Sequence, residues 1–211
     1  MSDVTIALGV PEAQRDRAAT LYLEAFGPKL AVVLGRDNRV HGFISDILDP
    51  DFAISAVDTD GQLLGIAGFK TEQGSFVGGT LSQLARHYGW LTAIPRGLIL
   101  GFLERDIDDK SLLMDGICVG AEARGNGIGS RLLDAICEHA RGMNLSEVRL
   151  DVIDTNPRAR ALYQRIGFEA GTTSHLGPLR HIFGFRAATT MRLALTGAGG
   201  IDAPVFNTHR K

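Results

Sequence analysis

The run Arg-Gly-Asn-Gly-Ile-Gly at 124–129 stands between a short apolar stretch, Ile117–Val119, and a strongly amphipathic helical pattern. A glycine-rich turn that feeds a helix leaves backbone N–H groups without intrahelical acceptors, and the helix dipole adds positive potential there. Such a turn is an anion site, most often for phosphate or pyrophosphate. Glycine at 125, 127 and 129 lets the main chain approach a ligand with no Cβ in the way. The chain is therefore expected to contain a strand–turn–helix unit that holds a phosphate-bearing molecule.

The rest of the pattern surrounds that unit with alternating elements. Val4–Leu8 reads as an opening strand, and Pro11 precedes a helix whose apolar positions Ala18, Leu21, Tyr22, Ala25 and Phe26 recur at helical spacing. Gly27-Pro28 is expected to end it. A second helix falls within 38–48, closed by Asp49-Pro50. Phe52–Val57 and Leu63–Phe69 flank the turn Asp58-Thr59-Asp60-Gly61 and predict a hairpin. Residues 71–110 read as an insertion, with a helix at Leu81–Tyr88 and an apolar pattern punctuated by Pro95. Leu112–Val119 is the next strand, Gly127–Arg141 a helix and Glu147–Val152 a strand. Asn156-Pro157 supplies an N-cap and a first-turn proline for a helix ending at Gly167. Phe168–Ser174 and 186–195 form a last strand pair. The expected fold class is α/β (α+β): a mixed central sheet of about seven strands, helices on both faces, and a helical insertion between the third and fourth strands. A single domain spans 1–195, with 196–211 as a loose tail.

Composition narrows the setting. The 211 residues suffice for one well-buried domain, and 45% hydrophobic with 22% charged residues is ordinary for a globular chain. A formal charge of −2 gives no electrostatic reason to expect nucleic acid or an anionic membrane as partner. The start Met-Ser-Asp-Val lacks a signal-peptide pattern, and Leu91–Leu103, broken by Pro95, is too short to span a bilayer. Cys118 and Cys137 are the only cysteines and sit on apolar faces, so a reducing cytoplasm is the expected compartment. The six histidines show no ligand spacing, and no metal is expected.

The glycine spacing excludes two common phosphate motifs. A dinucleotide fold needs Gly-x-Gly-x-x-Gly, but Gly125 and Gly127 are followed by Ser130, and no acidic residue closes the next strand on a ribose. A nucleotide P-loop needs Gly-Lys-Ser/Thr, which is absent. What remains is Arg124-x-x-Gly127-x-Gly129, followed downstream by Asn156-Pro-Arg-Ala-Arg-Ala-Leu-Tyr163-Gln-Arg-Ile-Gly167-Phe168. Together these resemble the GCN5-related N-acetyltransferase (GNAT) superfamily over about residues 112–170. The resemblance implies acetyl-CoA as acyl donor, inserted in a splayed gap between the strands at 112–119 and 147–152. It implies backbone contacts from Cys118 and Val119 to the pantetheine arm and a pyrophosphate held by N–H groups of 125–130. Arg124 and the Ser130 hydroxyl are candidate helpers beside Gly125, Asn126, Gly127 and Gly129, and Asn156 is a further implied cofactor contact.

Acetylation of an amine requires a base, an oxyanion donor and an acid for the departing thiolate. Tyr163 is the candidate acid, two helical turns after Asn156 and on the same face; the alternative is a core aromatic. Asn156 also reads as a plain N-cap. Asp115 lies in an apolar strand, where a carboxylate is costly unless paired or functional, and four residues before Val119 it is expected on that residue's face. It is either the base, directly or through water, or a structural partner for an arginine or for backbone amides. The Val119 N–H is the implied oxyanion donor. His175, Arg180, His181 and Arg186 cluster near the last turn, either as an anion-favouring acceptor pocket or as solvated loop charges. The insertion with Tyr88, Trp90 and Leu98–Leu103 is a roof for the acceptor, a homodimer surface or a core extension. The reading is an N-acetyltransferase acting on a primary amine, small-molecule or peptide; the alternative is a non-catalytic acyl-CoA-binding sensor on the same fold.

Overall fold

A computed structural model describes residues 3–101 and 107–195. In chain order the elements are β1 (Thr5–Leu8), α1 (Arg15–Leu34), α2 (Asn38–Ile47), β2 (Ala53–Val57), β3 (Leu63–Thr71), β4 (Gly74–Ser75), α3 (Leu81–Tyr88) and α4 (Trp90–Gly101). There follow β5 (Ser111–Val119), α5 (Ile128–Gly142), β6 (Glu147–Ile153), α6 (Pro157–Ile166), β7 (Glu169–His175), α7 (Arg180–Phe183) and β8 (Ala187–Ala194). The strands make one eight-stranded mixed sheet in the order β1-β2-β3-β5-β6-β8-β7, with β4 paired on β3. The seven strands of that path are those the periodicity indicates. The two residues of β4 are too few to show any period. The C-terminal residues 196–211 lie outside the described residues, as do 102–106.

Helices cover both faces of the sheet. On one face Leu132, Leu133 and Ile136 of α5 and Tyr163 of α6 pack on Leu112, Met114, Val148 and Leu150. On the other, Leu21, Ile44, Leu84 and Ala93 of α1–α4 pack on Ile66, Phe76 and Cys118. Short local signals set the element ends. Asp37 accepts from Arg39 N at the start of α2, Thr80 and Gln83 form a reciprocal capping box on α3, and Asn156 accepts from Ala159 N on α6.

Two prolines do not stop their helices, against the sequence expectation. α1 runs through Pro28 to Gly35, and α4 runs through Pro95 to Gly101. Pro28 deprives the Glu24 carbonyl of its helical donor, but both residues face water. Beyond the proline, buried Val33 and Leu34 hold the last turns against the core. In α4 the fully buried Ala93 anchors the helix while Pro95 is exposed. Tertiary burial outweighs one lost hydrogen bond in each case.

One irregularity governs everything downstream. The parallel ladder between β5 and β6 runs from Ser111↔Glu147 to Met114↔Leu150 and stops. β6 stays paired with β8 as far as Ile153↔Ala188, and β5 with β3 as far as Val119↔Gly65. At the same point the β3–β5 register jumps from Phe69↔Met114 to Gly68↔Gly116, leaving Asp115 as the extra residue of a β-bulge.

Gly68, in the middle of β3, is a steric requirement. A Cβ there would lie 2.4 Å from Cδ1 of Phe76, a ring only 1% exposed and so unable to retreat. Gly68→Ala is expected to cost about 1–3 kcal/mol by overpacking. Gly142→Ala, whose Cβ meets nothing within 4 Å, should leave the urea midpoint at or above wild type.

Candidate active site

The turn before α5 is shaped by backbone conformation. Gly125 and Gly127 adopt φ of +84° and +75°, which residues with a Cβ rarely tolerate. Gly127 is the N-cap and supplies no side-chain acceptor, and the first intrahelical bond runs from Arg131 N to Gly127 O. The N–H groups of Ile128, Gly129 and Ser130 therefore remain available to an anion. Gly129 has an ordinary negative φ, and a Cβ there would make a normal 3.5 Å contact with Leu162. Its glycine has no folding requirement of its own. The turn is pinned from behind: Ala123 is buried, Asn126 Nδ2 donates to Ala123 O at 3.3 Å, and Arg17 of α1 pairs with Glu122 at 2.5 Å. Arg124 does not reach toward the turn's N–H groups. Its Nε donates to the Val119 carbonyl at 3.0 Å.

Past Met114 the two central strands diverge, and main-chain groups of β5 face an open gap. Gly120 N donates to Leu64 O, which makes Leu64 and Gly120 a hydrogen-bonded pair. Alternation along an antiparallel ladder then directs the N–H and C=O of Cys118 onto Ile66, and those of Ile117 and Val119 into the gap. Of the two residues expected to offer main-chain contacts, Val119 has the suitable orientation and Cys118 does not. Ile117 also turns its N–H and C=O into the gap. Its assignment needs the register, which the sequence does not display.

A slot of about 110 Å³ occupies the gap, lined by Met114–Ile117 of β5, Leu150–Ile153 of β6, Asn156, Ala159 and Tyr163 of α6, and Ala25, Phe26 and Lys29 of α1. Tyr163 reaches it from the α5–α6 face, where its ring lies 5.9 Å from that of Phe168. Burial pushes its hydroxyl up to about 12, so it holds its proton through the neutral range. Asn156 caps α6, as expected, and also lines the slot.

Asp115 reaches the slot from the opposite face. It was expected on the face of Val119, and the structure corrects this. Val119 packs with the α5 core, whereas Asp115 turns toward Tyr22 of α1. The bulge inserts one residue between them and inverts the alternation. Burial raises the Asp115 carboxyl to about 6, against the opposing effects of Lys70 and a hydrogen bond from the Val77 N–H. Its Oδ2 is buried with no hydrogen-bond partner among the described residues.

On the far side of Asp115 lies a second, larger cavity of about 580 Å³, walled by α1, α2, the segment 75–81, α3 and α4. Among the described residues Asp115 alone lines both spaces. Leu81, Leu84, Ile94 and Leu98 of the apolar insertion line this cavity, while Leu84, Ala85, Tyr88 and Ala93 extend the core. His175, Arg180 and Arg186 line neither space, and the side chain of His181 lies outside the described residues. Arg186 N instead donates to the Asp154 carboxylate at 3.3 Å, tying the β6–α6 loop to β8. Cys118 is buried with its thiol pushed up to about 12, unsuited to act as a nucleophile.

The GNAT acetyltransferase family matches residues 13–168, about three quarters of the chain. The chain belongs to this family. Its members are acetyltransferases that draw the acyl group from acetyl-CoA. Among curated relatives, the thialysine N-epsilon-acetyltransferase of Bos taurus is 38% identical over 58 residues, 28% of this chain and 34% of that protein. The alignment thus spans about a third of the relative's length. Among solved structures, an N-acetyltransferase from Staphylococcus aureus Mu50 superposes with a TM-score of 0.62 at 15% identity, covering 90% of this chain and all of that one. The apo form of an agmatine N-acetyltransferase mutant gives 0.56 at 16% identity, covering 92% of this chain and all of that one. At these identities the structures establish the GNAT fold, a mixed sheet with helices on both faces.

Within this GNAT chain, α1 contributes residues that the motifs did not reveal. Tyr22 stacks on Phe26 at 4.7 Å and lines the large cavity. Phe26 fills the space over Gly116, where a Cβ would lie 2.3 Å from its Cζ. Lys29 sits between the Phe26 and Phe185 rings at 5.4 and 5.8 Å. Tyr22 and Phe26 read in sequence only as apolar positions of an amphipathic helix, and Lys29 falls beyond the helix end expected at Gly27-Pro28.

The raised Asp115 carboxyl makes a stability prediction. The unfolded chain ionises near 3.8 and the folded chain near 6, so the stability held at low pH falls as pH rises through 6. Asp115→Asn removes that penalty. It should stabilise the protein by about 2–3 kcal/mol at pH 8 and by close to nothing at pH 3.5, read by urea unfolding at both values. Equal effects at the two pH values would disprove the burial account.

Proposed function

We propose that the protein transfers the acetyl group of acetyl-CoA to a primary amine, with Asp115 as the base and Tyr163 as the acid. The single observation carrying this reading is that both side chains enter the β5–β6 gap from opposite faces of the sheet. The α5 turn fits a pyrophosphate: Gly125 and Gly127 take left-handed conformations and the first helical N–H groups lack acceptors. The gap-facing main chain of Ile117 and Val119 offers the pairing partners an amide-bearing arm needs. Acetyl-CoA, when bound there, supplies the activated acyl carbon.

The chain's own groups then manage the protons. Asp115, ionised above about pH 6, takes a proton from the incoming ammonium and makes the nitrogen nucleophilic. The Val119 N–H donates to the oxyanion as the N–C bond forms. Tyr163 gives its proton to sulfur as the C–S bond breaks. Of the two protons the ammonium loses, one is replaced on Tyr163 and the other leaves through Asp115. The cytoplasm is the proposed compartment, on the strength of two buried, unbridged cysteines.

Calorimetry should find acetyl-CoA binding that Tyr163→Phe preserves, while kcat falls about 10²–10³-fold. The kcat/KM of the wild type should rise through pH 6 and level off, and Asp115→Asn should lose both the activity and the rise. Tight acetyl-CoA binding with no transfer to any amine would instead favour the sensor reading.

A further inference from the structure

The large cavity carries a chemical signature for the acceptor. Its described wall is mainly aliphatic, with Leu34, Ile44, Ile47, Leu84, Leu100 and Leu113 among the lining side chains. Among the described residues its charged groups are Asp115, beside the slot, and Lys70, whose charge acts on Asp115 from β3. The described wall thus offers one carboxylate for one ammonium. A second ammonium on the same acceptor would be stripped of water among aliphatic groups, with a lysine as its charged neighbour.

The cavity mouth continues the pattern outward. Ile94 and Leu98 of α4 line the cavity and yet are 52% and 71% exposed. They form an apolar rim, and Trp90, 61% exposed, continues the same stripe one turn earlier on α4. Large apolar groups left at a cavity mouth are costly to hydrate and have a use where an apolar ligand slides past them. A volume of about 580 Å³ is ample for such a body.

We propose that the acceptor is an apolar primary monoamine, alkyl or arylalkyl, whose ammonium docks on Asp115 while its body fills the cavity and emerges past Leu98. This deepens the acetyl-transfer reading and rests on it. Transfer forms the N–C bond of an acetamide and releases the CoA thiol, with the protons moving as described. The product is uncharged and apolar.

A series of n-alkylamines from propyl to octyl, assayed with the full chain and acetyl-CoA, tests the proposal. Each buried methylene is expected to raise kcat/KM about threefold to fourfold. Agmatine and spermidine should fall at least 100-fold below octylamine. Leu98→Asp, at the exposed rim, should lower kcat/KM for octylamine at least tenfold more than for propylamine. It should flatten the upper part of the series and raise 1,8-diaminooctane relative to octylamine. A flat series, or agmatine or spermidine outperforming octylamine, overturns the monoamine assignment while leaving acetyl transfer intact. Should no amine be acetylated, the transfer reading fails, and alkylamine binding measured by calorimetry then decides the cavity. The same gain per methylene upholds it; absence of binding overturns it.

Discussion

The loss of β5–β6 pairing after Met114 and Leu150 is the constraint on which the rest of the molecule depends. A continuous sheet would satisfy its own main chain and seal its two faces from each other. Here the central ladder ends early, so Ile117 and Val119 turn main-chain groups into open space. The opening is also a passage through the sheet. Tyr163 belongs to the α5–α6 core and Asp115 to the α1–α4 side, and they can share one ligand only because the strands part between them.

The divergence is stabilised from both sides. β6 keeps its ladder with β8, and β5 keeps its ladder with β3, so each half of the sheet remains intact up to the gap. The bulge at Asp115 re-aims one side chain without breaking β5, and Gly116 beside it leaves room for the Phe26 ring. α1 has to run its full length, through Pro28, for Phe26 and Lys29 to lie over this opening with the last turns still anchored. The proline that looks like a helix stop thus sits in the middle of a helix whose continuation completes the slot.

Electrostatics follows from the same geometry. Asp115 is held among apolar groups with one oxygen left without a partner, and its carboxyl is displaced to about 6, close to where a general base is effective. Tyr163 is raised as well, to about 12, and retains its proton. Burial raises both groups by similar amounts, so across one narrow slot Asp115 approaches the neutral range while Tyr163 stays protonated, the arrangement that the proposed base and acid require. The cost is borne by the fold, which would be more stable with Asn at 115 under neutral conditions.

Much of this was legible before any coordinates. The glycine turn at 124–129, the Asn156 cap, the helix ending at Gly167 and the strand–helix alternation are all local: each depends on backbone conformation and on residues within a turn of one another. Those local rules, together with the resemblance of the two motifs to GNAT enzymes, sufficed for the fold class, the family and the identity of Tyr163 and Asp115 as candidates. What only the tertiary structure decided is where these groups point and what faces them. A one-residue bulge reversed the face of Asp115, strand register turned the main chain of Ile117 rather than Cys118 into the gap, and burial carried two helices through prolines. Tyr22, Phe26 and Lys29 lie more than eighty residues from Asp115 in sequence and meet its surroundings only through packing. Register, face and cavity are properties of pairs of distant segments, and no local pattern records them.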